Sequence, residues 1–380
     1  MKRIGILLIF IFTLLITACT SSASPDAPPD PTSTTVIAAT LPEALSEISM
    51  TDATGQNLVF PAPPERVTVA GKASQMIIHA LYLFPEAVER VIAMEQRMQR
   101  NLSMLPLIDP NFDTKDQFER DAAAEQIAPV QPDVVLMKTY MADKLGSPLE
   151  QIGIPVAYMD LESPDQFFRD IEAIGAMFDN PERVEEIKSF YQVRLDELQD
   201  GVAGIDPGDL PDVLLLQYSD RSGEVAFNVP SASWLQTTMV SNAGGTPMWR
   251  DAAEGGGWTL VNFEQIAAWD PDVIILVNYT GDPGEVVQNL KEDSNWNALR
   301  ATKDGQLYAF PGDFLSWDQP DTRWILGQLW LAKVIHPDLF SEWDMLDQAR
   351  EFYTELYKLD EATFETDVAP LINGDIEPSK

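Results

Sequence analysis

The chain has 380 residues, 45% of them hydrophobic, and a mean hydropathy of −0.11, which is enough apolar material for two packed cores facing water. Its 60 acidic and 25 basic side chains leave a net charge of −35, which argues against the basic surface that a nucleic-acid backbone or an anionic lipid face requires. The only cysteine is Cys19 and the only histidines are His79 and His336, so an internal disulfide and a thiolate metal centre are both excluded.

The amino terminus opens with basic Met1-Lys2-Arg3 and an apolar run from Ile4 to Ile16, short for a membrane span. Ile16-Thr17-Ala18-Cys19 follows, and it resembles the lipobox of bacterial lipoproteins. That resemblance implies a signal peptide over 1–18, cleavage before Cys19 and acylation of that residue. An uncleaved anchor helix with an incidental cysteine is the alternative. Residues 20–40 are rich in Ser, Thr and Pro and carry too little apolar surface to fold. We read 19–50 as a flexible tether.

The first lobe is expected over 51–162. Arg66–Ala70, Arg90–Met94, Asp133–Met137 and Pro155–Met159 read as strands, with helices at Ser74–Phe84 and Ala122–Val130. Such alternation predicts a parallel sheet covered by helices. Ser163-Pro164-Asp165-Gln166 then offers a hydroxyl cap, Pro at N1 and Gln at N3, a helix start with a capping box. Apolar residues recur at helical spacing from Phe167 to Phe178, Asn180-Pro181 restarts the helix, and it runs on to Gly201. A stiff strut over 163–201 is therefore expected between two lobes. The second lobe, 202–380, has strand candidates at Asp212–Tyr218, Val225–Asn228, Asp272–Asn278 and Gln306–Phe310, then a helical tail from Asp321.

One phrase occurs in both halves: EQIAPVQPDVVLM at 125–137 and EQIAAWDPDVIIL at 264–276. Each copy is a short helical stretch, a Pro-Asp break and a β-branched run that reads as a buried strand. The fold class this predicts is α/β: two Rossmann-like lobes joined by a long interlobe helix, with a ligand cleft between them. In open α/β sheets ligands bind beyond the carboxyl ends of the strands. That rule selects Lys72, Ser74 and Gln75 after the first strand, Arg97 after the second and Tyr140 after the third. In the second lobe it selects Asn228, Tyr279 and Asp313. Trp317 and Arg323 lie just beyond the last strand, where Arg323 has Asp318 and Asp321 as possible ion-pair partners. Each aromatic among these also has a plain reading as core. His79 on its apolar helix reads as a packed histidine, His336 as a helix terminator, and Asp133 and Asp272 as turn residues.

PERVTVAGKASQMIIHAL, LEQIGIPVAYMDLESPDQF, LVNFEQIAAWDPDVIIL, NWNALRATKDGQLYAFPGD and WLAKVIHPDLF together resemble the substrate-binding proteins of ABC importers for iron-siderophores, haem and cobalamin, the class with a rigid helical backbone. The resemblance covers roughly residues 60–357 in order. It implies an extracytoplasmic, lipid-anchored monomer that captures a metal chelate and delivers it to an ABC permease with its ATPase, with no catalytic residue, no resident metal and no cofactor of its own. It adds Trp258 to the ligand contacts. It also implies that Glu125 and Glu264, one per lobe, dock on permease arginines; read alone, each is an exposed helix-start glutamate favoured by the helix dipole. Fe(III)-siderophore leads among the ligands, with corrinoid, haem, a nickel chelate or an oxyanion such as molybdate as alternatives. An enzyme on the same scaffold, such as a chelatase or surface hydrolase, is a further alternative, although no G-x-S-x-G elbow or Walker loop occurs. A surface interaction lipoprotein without a small ligand is another.

Overall fold

The computed structural model describes residues 47–95, 102–221, 223–253 and 255–377. Cys19, the apolar run before it, the Ser/Thr/Pro-rich run and Arg97 lie outside them. Among the described residues no helix is long and apolar enough to cross a membrane.

The described part of the chain opens with an antiparallel hairpin, β1 (Ile48–Thr51) and β2 (Asn57–Phe60), whose apolar side chains alternate inward. β1 begins inside the stretch read as tether, because Ile48 and Met50 are core residues. The first sheet contains β3 (Val67–Val69), β4 (Val91–Glu95), β5 (Asp116–Phe118), β6 (Val134–Lys138) and β7 (Val156–Met159), all parallel, in the order β5-β4-β3-β6-β7. All five residues of β6 are buried, as a strand covered on both faces requires.

The second sheet contains β8 (Asp212–Arg221), β9 (Glu224–Val229), β10 (Thr246–Pro247), β11 (Thr259–Val261), β12 (Val273–Val277) and β13 (Leu307–Ala309). Its order is β11-β9-β8-β12-β13, with β10 beside β8. β8, β10, β12 and β13 are parallel, whereas β9 and β11 add an antiparallel flank that makes this sheet mixed. β8 continues past the edge of β12, and with β9 it forms a hairpin standing above the carboxyl edge.

The repeated phrase folds the same way twice. Gln131 and Asp270, each before its proline, adopt left-handed backbone at φ 48° and 45°. Asp133 then accepts hydrogen bonds from the backbone N–H groups of Glu65 (2.9 Å) and Arg66 (3.0 Å), and Asp272 accepts one from Asp212 N–H (2.8 Å). Each aspartate thus ties the approach to its strand to the start of the neighbouring strand, which is why Pro-Asp precedes β6 and β12.

Two helices, Pro164–Phe178 and Pro181–Val202, join the lobes. Ser163 caps the first by accepting from Gln166 N–H (3.3 Å), while the Gln166 side chain accepts from Glu162 N–H (3.0 Å), one residue earlier than a standard capping box. Asp179 in left-handed backbone ends this helix, and Asn180 caps the next by accepting from Arg183 N–H (3.0 Å). The helices pack closely at Gly175, where a Cβ would stand 2.0 Å from Val184 Cγ2. The second helix, 22 residues, spans about 33 Å at 1.5 Å per residue. Beyond β13 comes the helix Trp324–Ile335, apolar but for Gln328 and Lys333, then helical turns over 345–371, and a final segment whose Asp375 accepts from Ala309 N–H at the edge of β13 (2.8 Å).

Candidate solute-binding cleft

The carboxyl ends of both sheets meet at one junction. Helix Ser74–Leu81 leaves the end of β3, the loop 310–323 leaves the end of β13, and His79 of the first touches Asp321 of the second. Around this junction stand two rows of strand-end loops, one per lobe.

In the first lobe a buried carboxylate gathers the loops. Glu95, the last residue of β4, accepts from Gly71 N–H (2.6 Å) and Asp121 N–H (2.8 Å), and its carbonyl accepts from the Ser74 hydroxyl (3.1 Å). Gly71 has φ +92°, and a Cβ there would press on Met141 Cγ at 3.2 Å, so glycine lets the loop turn against the β6 loop. Tyr140 donates to the carbonyl of Lys72 (3.2 Å), and both side chains stay exposed. Ser74 is buried and committed to Glu95. Gln75 is 8% exposed, and its buried Oε1 has no hydrogen-bond partner. The structure therefore places Lys72 and Tyr140 on the rim and Ser74 beneath it.

In the second lobe Asn228 lies level with Gln217 at the carboxyl edge and donates to its side-chain oxygen (2.9 Å). Trp258 directly precedes β11, and Tyr279 follows β12. Trp234, which the strand-end rule does not reach, joins them from the start of helix Leu235–Asn242. Trp234 and Trp258 have ring centroids 5.4 Å apart at 82°, and Trp258 and Tyr279 are 6.0 Å apart at 61°. Beneath them Asp318 is completely buried; it accepts from Tyr279 OH (2.5 Å), Ser316 OH (2.5 Å) and Gln236 (3.2 Å). Burial raises the Asp318 pKa against the pull of these donors, and burial with the adjacent carboxylate drives the Tyr279 phenol well above its usual range.

Three residues expected on the cleft wall lie inside instead. Asp313, Trp317 and Arg323 are fully buried because the chain beyond β13 turns under the cleft. Arg323 pairs with Asp313 and Asp321, each at 2.7 Å, and donates to Tyr353 OH (2.9 Å). Asp313 also accepts from Trp317 Nε1 (3.0 Å) and Tyr353 OH (2.8 Å). His79 Nδ1 stands 2.5 Å from Asp321, and Tyr357 donates to the His79 carbonyl (3.0 Å). The result is a buried polar clamp linking the first lobe, the second lobe and the tail. Burial would lift the Asp321 pKa, but Arg323 and His79 hold it far below the carboxylate range; burial lowers that of His79. His79 and Asp321 copy half of a catalytic triad, yet His79 Nε2 meets no partner and neither side chain reaches solvent.

Glu125 and Glu264 are exposed in the first turns of helices Ala124–Ile127 and Phe263–Trp269. Among the described residues no three His, Cys, Asp or Glu side chains converge as a metal-ion ligand set.

Comparison with known proteins places this architecture. Molybdate-binding protein MolA of Haemophilus influenzae is 23% identical over 259 residues, 62% of this chain and 69% of the relative. A periplasmic solute-binding protein of Veillonella parvula has a similar structure, with TM-score 0.68 and 23% identity over 85% of this chain and 97% of the other. So does MolA bound to molybdate, at TM-score 0.66 and 18% identity over 82% and 98%. CeuE of Helicobacter pylori in its Ni–His complex gives 0.65 and 16% over 85% and 99%. These likenesses establish a shared fold. The family model described as periplasmic binding protein matches residues 106–314, more than half of the chain, and the chain belongs to that family.

Proposed function

We propose that this protein captures a metal chelate, an Fe(III)-siderophore foremost, between its lobes and hands it to an ABC permease without chemical turnover. The observation that carries the reading is the make-up of the two rims: Tyr140 and Lys72 on one side, and Trp234, Trp258 and Tyr279 on the other. Aromatic faces supply area and stacking for an organic shell, and an exposed ammonium meets negative charge. A bare transition-metal ion asks for three or four convergent His, Cys or carboxylate ligands, a set the described residues do not offer. Release fits a rigid scaffold: the capped interlobe helices and the buried clamp favour small lobe movements over wide hinging. Glu125 and Glu264 provide one carboxylate per lobe for arginines of the permease. Cys19 is the lipid-bearing end of the tether, and a Cys19→Ser protein that still fractionates with membranes like the processed wild type would refute that anchor.

A second reading, an oxyanion such as molybdate, is favoured by the similarity to MolA. Native mass spectrometry of the full chain exposed to an Fe(III)-siderophore, a corrinoid, haem, a nickel chelate and molybdate separates the two. Retention of an intact chelate is the expected result. Retention of molybdate alone moves the assignment to oxyanion capture, and retention of none removes both.

A further inference from the structure

We propose that the second-lobe wall of the cleft is a receptor for an ammonium-type cation carried by the solute, formed by the faces of Trp234, Trp258 and Tyr279 with the carboxylate of Asp318 behind them. The inference rests on the reading of this cleft as the solute site and gives the solute a charge on one side.

The three rings do not stack. Their successive planes meet at 82° and 61°, so they make a corner rather than a pile, and each ring is only partly buried. The face of an aromatic ring is the negative pole of its quadrupole, and a corner of such faces attracts a weakly hydrated cation. Asp318 strengthens this. It is fully buried, its three side-chain donors (Tyr279, Ser316 and Gln236) are all neutral, and among the described residues no ion pair forms on it. In the clamp, by contrast, Asp313 has Arg323 beside it, and Asp321 has both Arg323 and His79. A buried carboxylate without a countercharge is costly, and a positive group approaching it relieves that cost. Tyr279, the partly exposed member of the Asp318 donor set, spends its hydroxyl proton on that carboxylate at 2.5 Å. Because the hydroxyl points inward to this carboxylate, what Tyr279 turns outward is its electron-enriched ring, suited to a cation and not to an anion. Lys72, exposed on the opposite rim, suits the negative side of the same solute.

The test uses the full-length protein and two probes of equal shape, choline and uncharged 3,3-dimethylbutan-1-ol, titrated against tryptophan fluorescence. Choline is expected to quench saturably with at least tenfold higher affinity than the neutral probe. Asp318→Asn should reduce choline affinity at least fivefold and leave the neutral probe unchanged. Trp258→Leu, at a partly exposed position where folding is not at stake, should abolish the preference and keeps the test decisive if the buried substitution fails to fold. Equal affinity for the two probes, no saturable response to choline, or an unaltered preference in Trp258→Leu overturns the proposal. If choline fails while a chelate is still retained in mass spectrometry, the subsite falls and the capture reading stands; if choline binds and no chelate is retained, the reverse holds.

Discussion

Replacing Arg323 with Met separates two roles for that residue, a contact with solute or the centre of the clamp. The guanidinium is fully buried, with carboxylate oxygens of Asp313 and Asp321 at 2.7 Å each and Tyr353 OH at 2.9 Å. Methionine fills much of the volume but removes the guanidinium that Asp313 and Asp321 share, while Trp317 and Tyr353 still donate to Asp313. Breaking a buried pair by removing one partner costs about 3–5 kcal/mol. At about 2.1 cal/mol/K of unfolding entropy per residue, a chain this long loses roughly 5 °C in Tm for such a change. Urea unfolding followed by tryptophan fluorescence reads the loss directly. Adding Asp313→Asn to Arg323→Met should cost less than the sum of the single changes, with a coupling of roughly 1–3 kcal/mol, because it removes a carboxylate that faced the guanidinium. A variant that unfolds at the wild-type midpoint, above all one that also loses solute affinity, would show that Arg323 serves the solute and not the clamp.

Burial lowers the His79 pKa in the folded protein below the unfolded value of about 6.5, so the unfolded chain binds the proton more readily as pH falls. Stability should therefore be full above about pH 6.5 and decline as pH drops below it; in His79→Gln the slope between about pH 7.5 and 5 should flatten, and an unchanged slope excludes His79 as its source. Trp258→Ala should weaken capture of the retained solute by roughly 1–3 kcal/mol if the ring anchors it, as calorimetry measures, and wild-type affinity would remove Trp258 from the wall. Reversing Glu125 and Glu264 to Lys, both at exposed helix starts, should abolish uptake in cells and leave solute affinity unchanged; normal uptake would end the docking assignment.

The long buried strands were plain in the sequence. β6 and β12 are uninterrupted apolar runs after Pro-Asp, and the structure places both within a residue of the expected ranges. β5, β10 and β11 carry two or three residues each at sheet edges or flanks, too few for a period to register. The β1–β2 hairpin does alternate, but β1 adjoins a low-complexity run that hides its start. The rule that strand ends carry the site put Lys72, Tyr140, Asn228 and Tyr279 on the rims. It failed beyond β13, where the loop 310–323 turns inward and buries Asp313, Trp317 and Arg323. It also passed over Trp234, because that ring stands at a helix start five residues beyond its strand, and over Asp318, whose partner is Tyr279 and not Arg323. Those contacts join residues tens of positions apart, which no local pattern displays.

Hydrogen exchange of the full chain with and without the solute retained in native mass spectrometry tests capture between the lobes most directly. Added solute should slow exchange in segments 71–75 and 139–141 of the first lobe and in 228–234, 258–260 and 278–280 of the second, both rows together. Protection confined to one lobe, or centred on the groove between helix Pro181–Val202 and the helical turns at 348–358, would contradict a site between the two rows.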